Sequence, residues 1–484
     1  MEKGGITLEP WMHSLQSYRS ALQEKRISAK ELWDHYQKRV QLFDPNIGCF
    51  LETADLSPRF LEGTDGLFPC SVKDNIHVQG FHTTCGSQFL SEYSPVFEAT
   101  VSQRLRKAGC VFVGKTNMDE FAMGSTGENS GFFPTRNPWD FERIPGGSSS
   151  GSAASVAAGF CLFSIGSDSG GSLRLPASFC GVVGYKPTYG LVPRSGLVSL
   201  CSSMDQVGSL TRCVWDAAEV SSWLIGKDGR DATTVDHEMD LLQRLEAPVS
   251  GLRLAFFREW FHSPVDPMIQ QLFQAALHAF EAMGVTVVAL SFPEIEQVLP
   301  VYYVLNPAEA SSNLARFDGV RFGKRVGRGD YSDGVSSARS TLLGEEVQRR
   351  ILLGTFCLES ENVNEYFDKA ARVRALLVQK VRGIFEEYDG LVSPTAPCFP
   401  PKLGESLSPL EQYQLDRFTA LANLGGFPAI SIPLGFSDGL PTGLHLCADR
   451  FQDAKLLQLA RSFEKKNGLL FAGHYPFPHL EDRP

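Results

Sequence analysis

The sequence lacks the closely spaced cysteine pairs that bind zinc, because none of its eleven cysteines forms a Cys-x-x-Cys motif. An odd and dispersed set of cysteines is typical of reduced thiols in the cytoplasm. The chain also lacks an apolar run of about 18 residues, the length needed to span a bilayer. Its N-terminus has neither the apolar core of a signal peptide nor the acid-free, arginine-rich character of a transit peptide. We therefore expect a cytoplasmic protein that is not anchored in a membrane.

An excess of positive charge is also missing. The chain has 45 lysines and arginines against 55 aspartates and glutamates, which gives a net charge of −10. Because phosphate groups bind to basic surfaces, we do not expect this chain to be the main contact for a nucleic acid. Its 43% hydrophobic and 21% charged content is that of an ordinary soluble globular protein, and 484 residues can bury a substantial core.

Phosphate-binding glycine motifs are absent, but two other glycine-rich loops are present. Residues 146–152 read Gly-Gly-Ser-Ser-Ser-Gly-Ser, residues 166–172 read Gly-Ser-Asp-Ser-Gly-Gly-Ser, and an apolar segment separates them. A flexible linker does not usually bracket such a segment, and a Gly-x-Ser-x-Gly nucleophile elbow matches poorly. Serine hydroxyls beside bare backbone N–H groups suit acyl transfer, which needs a nucleophile and oxyanion donors.

Alternating helix and strand patterns predict an α/β fold. In the first half we expect helices over Ser28–Gln41, Thr100–Lys107 and Gly151–Gly159, and strands over Leu67–Ile76, Cys110–Val113 and Phe160–Ile165. Ser172 should lie where the second loop turns into the next helix, whose N-terminus offers unpaired N–H groups.

The second half of the chain continues the same alternation after a polar excursion at Asp228–Ser250. Asp266 should cap a helix that begins at Pro267 and runs to Met283. We expect an exposed loop at Gly327–Ser340. The other predicted helices are Asn364–Phe385 and Asp453–Lys466, the latter ended by Gly468, and the predicted strands are Leu252–Phe257, Val285–Leu290, Leu391–Ser393, Ala429–Pro433 and Leu444–Cys447.

The two loops, together with Lys73-Asp74-Asn75, resemble the motifs of the amidase signature family. The resemblance runs from about Ser28 to Phe463. It implies an α/β amidase signature fold, a large mixed central sheet flanked by helices on both faces. The chain would form a single domain over 1–484, with an N-terminal helical segment at about 1–60 and a Ser-Ser-Lys core at about 65–220. The remainder would complete the sheet and the substrate pocket.

The resemblance also implies a catalytic set of Lys73, Ser148 and Ser172. Ser172 would be the nucleophile, Ser148 the bridging serine after a cis peptide bond, and Lys73 the base. Backbone N–H groups of Ser169, Gly170, Gly171 and Ser172 would bind the oxyanion. Lowering a lysine pKa from about 10.4 to about 7 requires about 4–5 kcal/mol of desolvation or positive neighbours, so we expect Lys73 to be buried.

A Ser-His-Asp arrangement remains formally open, because His77 and His82 lie near Lys73 in the sequence, but neither belongs to a recognisable motif. We expect Asp168 and Arg174 to brace the second loop; the alternative is an ordinary surface pair.

Further segments resemble one branch of the family, the A subunits of bacterial tRNA-dependent amidotransferases: Gly114–Ser125, Thr135–Asp140, Ser311–Gly319 and Ser393–Pro397. The branch hydrolyses glutamine and passes ammonia to a B subunit, which holds misacylated Glu-tRNA(Gln) or Asp-tRNA(Asn), ATP and magnesium; a C subunit joins the two. We therefore expect no metal or cofactor in this chain. Candidate glutamine-binding residues are Asp416, Arg349 in preference to Arg350, and Tyr302 or Tyr303.

Two positions depart from the pattern, Ser150 where the family usually has glycine and Leu175 where this branch usually has glutamine. Leu175 is more typical of general amidases. Two alternatives therefore remain: a free-standing amidase of small carboxamides, and a non-catalytic scaffold with the same fold.

Overall fold

A mixed sheet organises the computed structural model, which describes residues 14–54, 68–327, 330–405, 407–467, 478 and 480. The described strands are β1 (Phe50–Thr53), β2 (Phe68–Lys73), β3 (Cys110–Thr116), β4 (Phe163–Asp168), β5 (Val183–Lys186), β6 (Gln206–Thr211), β7 (Arg253–Phe257), β8 (Thr286–Leu290), β9 (Gly390–Pro394), β10 (Ala429–Ser437) and β11 (Leu440–Cys447). They form one 11-stranded sheet in the order β1-β3-β2-β4-β6-β5-β10-β11-β9-β7-β8.

Fourteen α-helices connect and cover the described strands. They are α1 (Leu15–Gln23), α2 (Ala29–Ile47), α3 (Thr100–Lys107), α4 (Ser150–Ala157), α5 (Arg174–Cys180), α6 (Val214–Leu224), α7 (Pro267–Ala282), α8 (Val298–Leu314), α9 (Tyr331–Leu342), α10 (Glu345–Leu358), α11 (Phe367–Phe385), α12 (Pro409–Gln414), α13 (Ala420–Gly425) and α14 (Asp453–Lys466). Within the described ranges, no helix is long and apolar enough to cross a membrane.

Alternate residues of the central strands point into separate hydrophobic clusters. Ile430 and Leu446 pack in a cluster with residues of α6, α7 and α14. Their neighbours Ala429 and Cys447 belong to another cluster, with residues of α8, α10, α11 and α13. The sheet is therefore buried on both faces, and the predicted mixed sheet with helices on both faces is confirmed.

Strand β2 lies between two parallel neighbours, β3 and β4. Because the carboxyl ends of parallel strands meet at the same edge of a sheet, the residues that follow β2 and β4 come together there. Val72 pairs with Ile165 in this register, so Lys73 lies beside the start of the second glycine-rich loop. This register places Lys73 next to the loop that carries Ser172.

Most predicted elements are present within a few residues, but one prediction was wrong and one was displaced. Residues of the expected loop Gly327–Ser340 form α9, which Asp330 caps by accepting a hydrogen bond from the Asp333 backbone N–H. Strand β4 begins at Phe163 rather than Phe160, because the Phe160 N–H donates to Ser155 O and closes the end of α4.

Some predictions fall where the structure describes nothing. The predicted strand start Leu67 and the helix stop Gly468 lie outside the described residues, as do residues 1–13 and 55–60 of the predicted N-terminal segment.

Candidate active site

Lys73 ends β2 with its side chain fully buried, as predicted. Its Nζ donates to Ser148 Oγ at 2.8 Å and to Ser167 Oγ at 3.1 Å. Asn75 Nδ2 also donates to Ser167 Oγ, at 2.9 Å. Burial lowers the pKa of Lys73 to about 7, although three nearby aspartates, including Asp119, favour its charged form. Near neutral pH the amine is therefore able to accept a proton.

The first serine loop holds Ser148 through its backbone. The Gly147–Ser148 peptide bond is cis, as predicted. The Gly147 N–H donates to Ser125 O at 2.9 Å, and the Asp119 N–H donates to Ser148 O at 3.2 Å. A Cβ at Gly147 would lie 1.9 Å from Asp119 Oδ2, so only glycine fits against this carboxylate. The loop therefore fixes Ser148 against the buried amine.

The second serine loop contacts the first at Ser149, whose backbone N–H donates to Ser172 O at 3.2 Å and whose Oγ donates to Ser167 O at 3.1 Å. Ser172 is half-buried and lies in the turn just before α5, as predicted from the sequence. Gly171 has φ +152°, and a Cβ there would lie 2.3 Å from Thr419 Oγ1. The structure thus brings the predicted nucleophile to the loop that carries Ser148.

The rest of the second loop is anchored by side chains from distant elements. Ser169 Oγ donates to Asp205 Oδ1 at 2.6 Å, and Thr419 Oγ1 donates to Gly170 O at 2.7 Å. These bonds engage the Ser169 and Thr419 hydroxyls and the Gly170 carbonyl. The predicted oxyanion donors, the backbone N–H groups of residues 169–172, therefore lie on a loop that is held through other atoms.

Asp168 and Arg174 form a fully buried ion pair rather than a surface pair. Arg174 donates to both carboxylate oxygens of Asp168, and also to Thr419 O at 2.8 Å and Asn423 Oδ1 at 2.6 Å. Burial alone would raise the pKa of Asp168, but Arg174 holds it well below its usual range. The pair therefore ties the loop to α13, which supports the predicted bracing role.

The residues predicted to form the glutamine pocket lie buried beside the second loop. Asp416 accepts hydrogen bonds from Ser125 Oγ at 2.9 Å and from Tyr303 OH at 2.8 Å. Burial raises the pKa of Asp416 to about 6, against the effect of these bonds. Arg350 lies with its guanidinium carbon 5.6 Å from the centre of the Tyr303 ring and 5.8 Å from that of Tyr413. Both charged residues thus contact Tyr303.

The preference for Arg349 is not supported by the geometry. Arg349 keeps 46% of its side chain exposed, whereas Arg350 keeps 4%, and both pair with Glu346. Successive helical residues point about 100° apart, so only one of the two faces the pocket. Both tyrosines reach the site: Tyr303 bonds Asp416, and a Cβ at Gly170 would lie 2.3 Å from Tyr302 OH.

The structure also accommodates the two departures from the family pattern. Ser150 begins α4, with its Oγ 3.4 Å from both Asn117 O and Thr135 Oγ1. Leu175 is fully buried in an apolar cluster with Phe179 and others. Neither substitution displaces a residue of the predicted catalytic set.

The histidine alternative finds no geometric support. His82 is paired with Glu52 at the surface, with 3.1 Å between His82 Nδ1 and Glu52 Oε2. His77 packs against the rings of Tyr93 and Phe97, and neither of its ring nitrogens has a hydrogen-bond partner among the described residues. Burial lowers the pKa of His77 to about 4.

Sequence reasoning missed four site residues, Asp119, Ser125, Thr419 and Asn423. Asp119 and Ser125 belong to the segment Gly114–Ser125, which was singled out only for its family resemblance. A dense run of polar residues between a buried strand and the first serine loop was the available signal. Thr419 lies just before α13 and Asn423 lies within it. Both are about 250 residues away from the second loop along the chain, so no local pattern could have identified them.

The chain matches known proteins over most of its length. Residues 61–457 match the family described as Amidase. The chain is 45% identical over 442 residues to the A subunit of a glutamyl-tRNA(Gln) amidotransferase from Thermotoga maritima, covering 91% of this chain and 93% of that protein. It is 43% identical over 472 residues to a protein of the same name from an Exiguobacterium species, with 94% and 98% covered.

The fold is also shared with solved structures. A crystal structure of the A subunit from Thermotoga maritima superposes with a TM-score of 0.85 at 40% sequence identity, covering 99% of this chain and 100% of the other. A family match over most of the chain, relatives above 40% identity and a shared fold agree with one another. The chain therefore belongs to the amidase signature family.

Proposed function

We propose that this chain hydrolyses the side-chain amide of glutamine as the A subunit of a tRNA-dependent amidotransferase. The observation that carries the proposal is the contact between Lys73 Nζ and Ser148 Oγ at 2.8 Å, made in full burial beside the half-buried Ser172. The relatives' names and the buried charges of Asp416 and Arg350 support glutamine as the amide that is cleaved.

In the proposed reaction, Ser172 Oγ attacks the carboxamide carbon while its proton passes through the Ser148 hydroxyl to neutral Lys73. The backbone N–H groups of residues 169–172 stabilise the oxyanion, and losing one such donor typically costs about 10²–10³ in rate. The C–N bond then breaks, and the departing nitrogen takes a proton from the lysine relay and leaves as ammonia. Water cleaves the resulting ester, which releases glutamate and restores the serine.

Recognition of glutamine needs an anion for its α-ammonium group and a cation for its α-carboxylate. We assign Asp416 to the first role and Arg350 to the second. The rings of Tyr302 and Tyr303 would wall the pocket, since Tyr303 contacts both charged residues. A simple amide lacks the α-ammonium and α-carboxylate groups that would pair with Asp416 and Arg350, which favours glutamine over such substrates.

The remaining steps would take place in partner subunits. A B subunit would hold misacylated Glu-tRNA(Gln), Asp-tRNA(Asn) or both, together with ATP and magnesium, and would receive the ammonia through a protected tunnel. A small C subunit would join the two in the cytoplasm. The net charge of −10 fits a chain that leaves most tRNA contacts to its partner.

The test uses the assembled complex with the Ser172→Ala variant. Glutamine-dependent amidation of tRNA should be abolished, because only the generation of ammonia is lost. Amidation supplied with ammonium chloride should continue at the wild-type rate. Failure of both reactions to the same extent would contradict the proposal, as would robust hydrolysis of acetamide by the wild-type chain alone.

A further inference from the structure

One loop, residues 119–127, contacts both the Ser148 backbone and the Asp416 carboxylate. The Asp119 N–H bonds Ser148 O, and Ser125 Oγ bonds Asp416. Glu120, between them, points the other way and reaches the beginning of α10. This helix carries Arg350, so the loop joins the serine that contacts Lys73 to the cation of the pocket.

The beginning of α10 cannot cap itself. Its N-cap residue is Gly344, which has no side chain, and the third helical residue is Val347, which cannot reach back to the N-cap N–H as a glutamate would. Glu120 Oε2 accepts the Gly344 N–H at 2.7 Å. The Glu120 side chain thus provides from outside the helix a hydrogen-bond acceptor of the kind that a capping box provides from within.

Glu120 is itself buried, 2% exposed, and Ser87 Oγ donates to its other oxygen. A Cβ at Gly344 would lie 2.6 Å from Glu120 Oε2, so this end of α10 is packed directly on the carboxylate. Further along, a Cβ at Gly354 would lie 1.9 Å from Pro307 O of α8. Helix α10 is therefore held at two points, and Arg350 lies between them, about 9 Å from Gly344 at 1.5 Å rise per residue.

We propose that Glu120 is a positioning residue for substrate recognition: by holding the N-terminus of α10, it sets the position of Arg350 opposite Asp416. This inference rests on the proposed function, because it takes Arg350 to bind the substrate's α-carboxylate. Glu120 touches neither the serines nor Lys73 through any described hydrogen bond, so its loss should weaken glutamine binding and spare the bond-breaking step.

The experiment compares Glu120→Ala and Glu120→Gln with the matched control Glu128→Ala, all in the assembled complex. Glu128 lies on the following stretch of the same segment and also accepts a backbone N–H, from Gly404 at 2.7 Å, but it does not contact α10. The substrates are L-glutamine and 4-aminobutanamide, which is glutamine without its α-carboxylate.

Glu120→Ala should raise KM for glutamine about 10- to 100-fold, with kcat changed less than threefold. Its kcat/KM for 4-aminobutanamide should stay at the wild-type value. Glu120→Gln should restore most of the affinity, because its amide oxygen can still accept the Gly344 N–H. Glu128→Ala should behave as wild type with both substrates.

An equal loss of kcat/KM on both substrates in Glu120→Ala, or an unchanged KM for glutamine, would overturn the proposal. Where turnover of 4-aminobutanamide is too slow to measure, hydrogen exchange provides a second test of the proposal. Glu120→Ala should speed exchange of the first amides of α10 at least tenfold, and unchanged exchange there would also overturn it. Wild-type turnover of 4-aminobutanamide as efficient as that of glutamine would instead reject the glutamine pocket itself.

Discussion

At the scale of single residues, the candidate site centres on one lysine whose pKa is lowered by burial. Lys73 is buried, donates to two serine hydroxyls and has a pKa lowered to about 7. Three aspartates lie close enough to favour the charged form, so burial must outweigh them for the amine to act as a base. Ser148 and Ser167 contribute hydroxyls but no charge, so they leave the balance between burial and the aspartates in place.

This balance predicts the pH dependence of the reaction. A lysine base with a pKa near 7 is protonated below that pH, so kcat for glutamine should fall about tenfold per pH unit below 7. Asp416, with a pKa near 6, must be ionised to bind the α-ammonium group, so kcat/KM should fall more steeply below pH 6. Steady-state kinetics from about pH 5 to about pH 9 measure both limbs.

Two variants separate the contributions of Lys73 and Asp416 to the loss of activity at low pH. Asp416→Asn should remove the steeper limb of kcat/KM below pH 6 and leave the limb near 7. Lys73→Arg keeps a positive charge that cannot be released, so hydrolysis should fall by about 10³ or more at every pH. An acid limb that survives unchanged in Lys73→Arg would show that another group is the base.

At the scale of helices and strands, a glycine can mark a place where two elements touch backbone to backbone. Gly354 of α10 faces Pro307 of α8, where a Cβ would lie 1.9 Å from the carbonyl oxygen. Gly383 of α11 has nothing within 4 Å of the position of its missing Cβ. Glycine therefore permits a close helix contact in α10, whereas in α11 it makes no such contact.

Alanine substitutions should reveal this contrast. Gly383→Ala should raise the free energy of unfolding by about 0.5–1 kcal/mol, because alanine has the higher helix propensity and meets no neighbour. Gly354→Ala should lower it by about 1–3 kcal/mol, because α10 must move away from α8. Urea unfolding of the two variants measures both changes, and a stabilised Gly354→Ala would contradict the close approach of the helices.

The same elements show what the sequence could and could not predict. The meeting of Lys73, Ser148 and Ser172 was predictable because their motifs are local and because β2 and β4 run in parallel, while their catalytic roles stay a prediction. The choice between Arg349 and Arg350 was not, because packing against α8 decides which face of α10 turns inward. Helix α9 was missed for a related reason: its glycine- and serine-rich residues gain helical order from the Asp330 cap and from buried Ala338.

At the scale of the whole molecule, the candidate site lies among buried side chains from distant elements. Arg174 alone joins β4, α13 and β11, through Asp168, Asn423 and His445. All of these side chains are buried. The cysteines share this environment: ten of the eleven are buried, Cys398 is partly exposed, and all are free thiols.

Because of this burial, we expect the cysteines to react slowly with thiol reagents. Burial raises the pKa of Cys180 well above its ordinary value and that of Cys398 to about 12, so neither forms much reactive thiolate near neutral pH. A thiol reagent such as DTNB should modify no more than one cysteine per native chain within minutes. All eleven should react after denaturation. Rapid modification of several native thiols would contradict their burial.

The order of functional residues along the chain has a consequence for how such enzymes evolve. Lys73, Ser148 and Ser172 all come from residues 73–172, whereas the groups assigned to the charged end of the substrate come from residues 302–416. Mutations that redirect the protein to a different amide can therefore accumulate in the later segment while the earlier one is inherited unchanged. Laboratory selection for a new amide should accordingly accept changes in α8, α10 and the connection from α12 to α13 long before it accepts one beside Lys73.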